Sequence, residues 1–216
     1  KEVANLVNAS FDSTGVSATA TTTVKIEMLS TDAAGSHVVG FNFYGKNSTA
    51  QAISATVTLG TTAATSDLTN LRDAINGFSS NTGIRATLNA NKNAIVIVQD
   101  EGEDVVIENL DFASVGDSVN TRLLVTAMNQ DQDVSGTQKQ VLDTDHNSGN
   151  SDSVRFAGQL KFHSSQTFTI VANGGGGLYE ASPGTATLNK VSTINHRSCT
   201  GNTATIILNN RSITQP

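Results

Sequence analysis

LRDAINGFSSNTGIRATL, residues 71–88, changes its hydrophobic period partway along. In the first half Leu71 and Ile75 stand four apart, and Leu68 and Phe78 extend the stripe at three-residue steps. That spacing puts the four on one face of a helix predicted over 67–79. Ser66 or Asp67 can cap its start by accepting from the first free amides. Beyond Asn81-Thr82-Gly83 the period becomes two: Ile84, Ala86 and Leu88 alternate with Arg85, Thr87 and Asn89, as in a strand. The glycine between supplies the positive φ at which a helix stops cleanly.

The same unit stands earlier in the chain. Residues 3–20 read VANLVNASFDSTGVSATA, and setting Thr14 on Thr82 gives an offset of 68 positions. Val3 then falls on Leu71, Val7 on Ile75, Asn8 on Asn76, Gly15 on Gly83 and Val16 on Ile84, with Ala18-Thr19 on Ala86-Thr87. An internal repeat of this kind is a structural unit used twice.

Around the second copy the chain reads as strands. Val38 to Tyr44 and Ala52 to Leu59 alternate on either side of the turn Gly45-Lys46-Asn47-Ser48. After the turn cluster Asn89 to Asn93, the β-branched run Ala94 to Gln99 completes a hairpin, and Val105-Val106-Ile107 follows an acidic turn. The expected fold class is α+β and β-rich: antiparallel sheets with one or two short helices packed against them. Further on, Leu123-Leu124-Val125 is strand-like or a short helix, and 129–153 is expected to be a long exposed loop. A hairpin is expected from 154–162 and 166–172 through Ser164-Ser165. Thr187 to Ile194 suits a helical turn or an extended exit segment, and 196–216 is assigned no helix.

Composition narrows the function. The charged fraction is 15%, against roughly 25% in ordinary soluble domains, and Ser, Thr, Asn, Gln, Ala and Gly fill the difference. Aromatics are 5% with no Trp, unlike a typical enzyme, while a Thr-rich strand surface fits a surface protein. Net charge is −6 and the 13 Lys and Arg residues are scattered singly, so no nucleic-acid partner is expected. No apolar run approaches the ~20 residues of a membrane-crossing helix, and no membrane partner is expected. The single cysteine, Cys199, has no partner for an intramolecular disulfide. The start at Lys1 reads as a fragment of a longer protein.

These residues resemble flagellin. Leu68 to Asn76 followed by Thr82 to Thr87 is similar to the "IN" motif of flagellin and hook-associated proteins, and Asn5 to Ala20 resembles a second copy. Gly158 to Phe162, Phe168 to Ile170 and Thr187 to Ile194 resemble the return path toward flagellin's inner domain. The family's long terminal helices are missing, and 196–216 matches its amphipathic helix poorly. The resemblance implies a non-enzymatic, secreted structural component of the bacterial flagellar filament, a surface-exposed variable domain supporting motility. It implies other flagellin subunits as partners through the missing inner domains, a monomeric isolated fragment, and O-linked sugars at unassigned Ser or Thr residues. Residues 1–45 with 154–195 would form an inner subdomain, 46–153 an outer one holding helix 67–79, and 196–216 a return segment. Lys1 and Ile194 should then lie close together. The alternative is an adhesin-like module recognising glycan or host surface, which would need exposed aromatics such as Tyr44 and Tyr179.

Chemical sites are not expected: no catalytic, cofactor or metal residues are assigned. His37, His146, His163 and His196 lie far apart, with no ligand pair and no H-E-x-x-H. Asp143 to Gly149 alternates oxygen ligands like a calcium loop, yet its glycine is one place late and position twelve is Val154 rather than Glu. Gly174 to Gly177 lacks the Gly-Lys-Ser/Thr ending of a phosphate loop. Cys199 has Arg197 and His196 nearby but no fold context for a nucleophile. Asp100 with Glu103, and Asp131 with Asp133, read as solvated loop acids. Asn8, Asn47 and Asn210 each begin an N-x-Ser/Thr triplet that a chain this rich in such residues produces by chance.

Overall fold

Each copy of the repeated unit folds as helix, single turn of helix, glycine and strand. The computed structural model of the chain describes residues 1–30, 34–112, 121–128, 134–143, 151–172, 185–188, 191–194, 204–208 and 211–215. In chain order these form α1 (Glu2–Ala9), α2 (Phe11–Thr14), β1 (Val16–Ser30), β2 (Gly35–Tyr44) and β3 (Gln51–Leu59). A 3-10 turn (Ala63–Thr65) precedes α3 (Thr69–Gly77), α4 (Ser79–Thr82), β4 (Ile84–Leu88), β5 (Ala94–Gln99) and β6 (Val105–Phe112). Then follow β7 (Arg122–Met128), β8 (Val134–Asp143), β9 (Val154–Phe156), β10 (Gln159–Ser164) and β11 (Phe168–Ala172). The last strands are β12 (Thr185–Leu188), β13 (Val191–Ile194), β14 (Ala204–Leu208) and β15 (Arg211–Gln215). The β-rich α+β class expected from the sequence is what the chain adopts.

The chain divides into two compact units, Thr22–Phe156 and Lys1–Thr21 with Ala157–Pro216. These boundaries stand beside the sequence expectation of 45/46 and 153/154. Strand β1 is unbroken, with 16–21 in one unit and 22–30 in the other.

In the unit Thr22–Phe156, two antiparallel sheets share one core. The first runs β4–β5–β1–β7–β8, with the late half of β1 between β5 (Val24↔Ile97) and β7 (Ile26↔Val125). The second runs β3–β2–β6–β9. Alternation decides which side chains enter: Ile53, Ala55, Val57 and Leu59 of β3 are buried, and the residues between them are exposed. Helix α3 adds Leu71 and Ile75, both essentially inaccessible, to the same core. Burying each contributes roughly 1.5–3 kcal/mol.

The unit of residues 1–21 and 157–216 is built around the other helix. Val16, Ala18 and Ala20 of β1 face Leu160 and Phe162 of β10, and Val3, Ala4 and Val7 of α1 close over them with Phe168. The Phe162 and Phe168 rings lie 6.3 Å apart in a tilted arrangement. β10 continues to β13, and a separate four-stranded sheet runs β12–β11–β14–β15.

Two expectations are overturned. The segment 129–153 is not simply a loop, because β8 lies within it and pairs with β7, and Leu142 is fully buried. Among the described strands β8 pairs only with β7, apart from one isolated bridge from Leu142 to Ser151, and a strand at a sheet edge tolerates polar residues, so hydrophobic periodicity does not reveal it. The hairpin of 154–162 with 166–172 does not form. Phe156 of β9 is held in the Thr22–Phe156 core against β6, β10 pairs with β1 and β13, and β11 pairs with β12 and β14. Of the two readings offered for 187–194, the described residues take the extended one, Leu188 ending β12 and Val191–Ile194 forming β13. In the terminal 196–216 stretch, β14 and β15 pair antiparallel.

Candidate functional site: a duplicated helix–glycine–strand joint

The two joints share the hydrogen bonds made by their threonine and asparagine side chains. Helix α1 ends at Ser10 (φ −100°, ψ 8°) and α3 at Phe78 (φ −104°, ψ 12°), each followed by a one-turn helix. Gly15 (φ 64°, ψ 17°) and Gly83 (φ 69°, ψ 13°) then take the left-handed conformation that reverses the chain into a strand. A side chain there would strain the backbone by roughly 1–2 kcal/mol. The preceding threonines fix the turn. The Thr14 hydroxyl donates to Ser10 O (2.9 Å) and accepts from Val16 N–H (3.2 Å); the Thr82 hydroxyl donates to Phe78 O (3.0 Å) and accepts from Ile84 N–H (3.2 Å).

The asparagines go further. Asn76 donates from Nδ2 to Ala86 O (2.9 Å) and accepts at Oδ1 from Ala86 N–H (2.8 Å). Asn8 does the same with Ala18, at 2.9 Å and 2.7 Å. A carboxamide has one donor face and one acceptor face, like a peptide group. Here it stands where a neighbouring strand's residue would stand, on the side of β4 away from β5 and the side of β1 away from β10. The repeated asparagine was visible in the alignment of the two copies; its partner ten residues on was not.

Further contacts anchor the second joint. Asp67 Oδ1 accepts from Thr69 N–H (2.8 Å), capping α3 as expected, although Leu68 occupies the cap position itself. Its bonds to Thr69, with Lys92 nearby, hold the carboxyl below its usual range. Leu68 N–H donates to Lys92 O (2.8 Å), and Lys46 N–H donates to Thr82 O (2.9 Å), so the β4–β5 and β2–β3 turns both close on the joint. Buried Gln99 accepts from Glu101 N–H (3.0 Å) and Glu103 N–H (2.9 Å), shaping the acidic turn after β5.

The chemical candidates do not converge. His37 is buried in β2, whereas His163 in β10 lies 3.3 Å from the Thr19 hydroxyl. Asp100 pairs with Arg85, and Arg155 pairs with Asp104. Among the described residues no three His, Cys, Asp or Glu side chains gather to hold a metal ion. No helix among them is long and apolar enough to cross a membrane. Asn8 has its amide engaged in the joint, and Asn47 serves the β2–β3 turn, donating to Phe43 O (3.1 Å) and Thr49 O (2.8 Å). His146, His196, Cys199, Asn210, Tyr179, Asp131, Asp133, Gly174 to Gly177 and the calcium-like stretch after Asp143 lie outside the described residues.

The arrangement turns a helix into a strand and seals that strand's edge. No curated protein matches the chain. Residues 40–101, which enclose β2 after its start, β3, α3, α4, β4 and β5, match the family model described as the flagellin hook IN motif. The joint around Gly83 lies inside the stretch that matches this flagellin hook IN motif.

Proposed function

We propose that the chain is the surface-exposed outer region of a flagellin-type subunit, exported to the bacterial flagellum and supporting motility. The unit of residues 1–21 and 157–216 is then proximal to the filament core and Thr22–Phe156 distal. In this reading the partners are other subunits of the same filament, reached through inner domains beyond this region. The observation that carries it is the IN motif at 40–101 together with the pairing of outgoing and returning strands. β1 leaves through Val16 to Thr21, and β10 comes back beside it, Ala18 against Phe162. An adhesin-like reading draws less support, since Phe41, Phe43, Phe112, Phe156, Phe162 and Phe168 are buried in cores and, among the described phenylalanines, Phe11 alone is largely exposed.

The test uses the full-length subunit in its own cells. Asn91, exposed in the β4–β5 turn, is replaced by cysteine in a Cys199→Ser background, and intact flagella are treated with a membrane-impermeant maleimide dye. Labelling along the whole filament is expected. A filament that stays dark while the denatured subunit labels, or purified flagella that lack the chain, would overturn the reading.

A further inference from the structure

The two joints differ at one chemically consequential place: the clamp asparagine is followed by Ala9 in the first and Gly77 in the second. Conformation does not demand that glycine. Gly77 is not among the positive-φ glycines, and a Cβ built on it would meet nothing within 4 Å. Glycine is also a poorer helix former than alanine. What it does supply is an unhindered backbone nitrogen next to an asparagine carboxamide. Such a nitrogen can attack Cγ of Asn76. The new N–Cγ bond forms, the Cγ–Nδ2 bond breaks and ammonia leaves, giving a cyclic imide. Water then opens the imide to aspartate or to its backbone-rerouted isomer, with no oxidant or further reactant required.

In the folded joint both reacting groups are engaged elsewhere. The carboxamide is held on Ala86 by two hydrogen bonds, and Gly77 closes the last turn of α3, where its N–H serves the helix ladder. Gly77 is nonetheless exposed and Asn76 half-buried, so water reaches the site as soon as the clamp opens. We infer that Asn76-Gly77 is a self-modification site gated by the joint: silent while the clamp is closed, and converted irreversibly in proportion to the time it spends open. Conversion removes the Nδ2 donor and leaves a carboxylate facing the Ala86 carbonyl. Each event therefore weakens the joint that failed to stay shut. The first joint, with Ala9 behind Asn8, keeps the clamp without this liability.

The intact chain is incubated at mildly alkaline pH, folded and in denaturant, and amide-to-acid conversion at each asparagine is followed by peptide mass analysis. Asn173-Gly174, the other Asn-Gly step in the sequence, is the chemical reference in denaturant. There Asn76 should keep pace with Asn173 and outrun Asn8 by about tenfold or more, while folding should slow Asn76 by at least about tenfold, as expected of a reaction that proceeds through local opening. Gly77→Ala, which the open space accommodates, should bring the denatured rate down toward that of Asn8. Equal rates for Asn76 in the folded and denatured chain would overturn the gating. A denatured Asn76 no faster than Asn8 would overturn the role of Gly77.

Discussion

Replacing Asn76 by alanine tests the idea that a side chain stands in for a strand partner. Two hydrogen bonds to Ala86, at 2.8 Å and 2.9 Å, disappear together. At a net contribution of about 1 kcal/mol each, the loss is about 2 kcal/mol. Alanine is the better helix former by about 0.6 kcal/mol, which offsets part of it. The expected destabilisation of the Thr22–Phe156 unit is therefore about 1.5 kcal/mol. In urea this lowers the midpoint by roughly 0.5–1.5 M at an unchanged slope. Hydrogen exchange localises the effect. The Ala86 amide, which now bonds only to Asn76 Oδ1 among the contacts described for the joint, should exchange about tenfold faster for each 1.4 kcal/mol of local protection lost. Asn8→Ala should do the same to the Ala18 amide and leave Ala86 alone, and the two costs should add to within about 0.5 kcal/mol. An Asn76→Ala midpoint equal to wild type, with Ala86 protection unchanged, would refute the reasoning.

The glycines give a graded comparison. Gly15→Ala meets open space and carries only the left-handed penalty, about 1 kcal/mol, whereas Gly83→Ala also brings Cβ to 3.2 Å from Gln99 Nε2 and Lys46 Cδ and should lower thermal stability further. Gly45→Ala should be the most damaging of the three, because its Cβ would come 2.3 Å from the backbone oxygen of Thr82; a loss of about 2–4 kcal/mol is expected in chemical unfolding. Asp67 has a folded-state pKa below its unfolded value, so its cap stabilises fully above the unfolded pKa and is lost as pH falls through the folded one. Asp67→Asn should lower stability at neutral pH and flatten the acid limb of the stability–pH curve, with the two proteins converging at low pH.

What the sequence revealed and what it hid follow the range of the interactions. The second joint was legible because its signals are local: Leu71 and Ile75 on one helical face, Gly83 for the reversal, and Ile84 with Ala86 alternating inward. The hairpin of β4 and β5 was legible for the same reason, its strands being joined by one tight turn. The pairing of β10 had no such local signal, and only the resemblance of the first copy to an outgoing flagellin segment implied that it would meet returning strands. Ser164-Ser165 reads as a hairpin turn, yet β10 finds its partner in Val16 to Thr21, more than a hundred residues upstream, where no local pattern points. β8 was missed because an edge strand needs only a few apolar contacts, such as Leu142, among polar residues. The clamp was half visible: the alignment displayed Asn8 and Asn76, but a carboxamide's role depends on the backbone group it reaches, and sequence lists only the carboxamide.

The carboxamide clamp also bears on how such a unit can multiply. A strand normally needs a neighbour on each side or a device to keep strangers off its edge. Here the device is carried ten residues upstream in the same short stretch, so the unit arrives in any new place with one edge already closed. It can be copied within a chain without a matching strand being copied alongside it. The two copies show the result, one beside β10 and the other beside β5, each with unrelated surroundings and an unchanged joint. Self-sufficiency at one edge is what makes the piece duplicable, and it leaves the rest of the chain free to diverge.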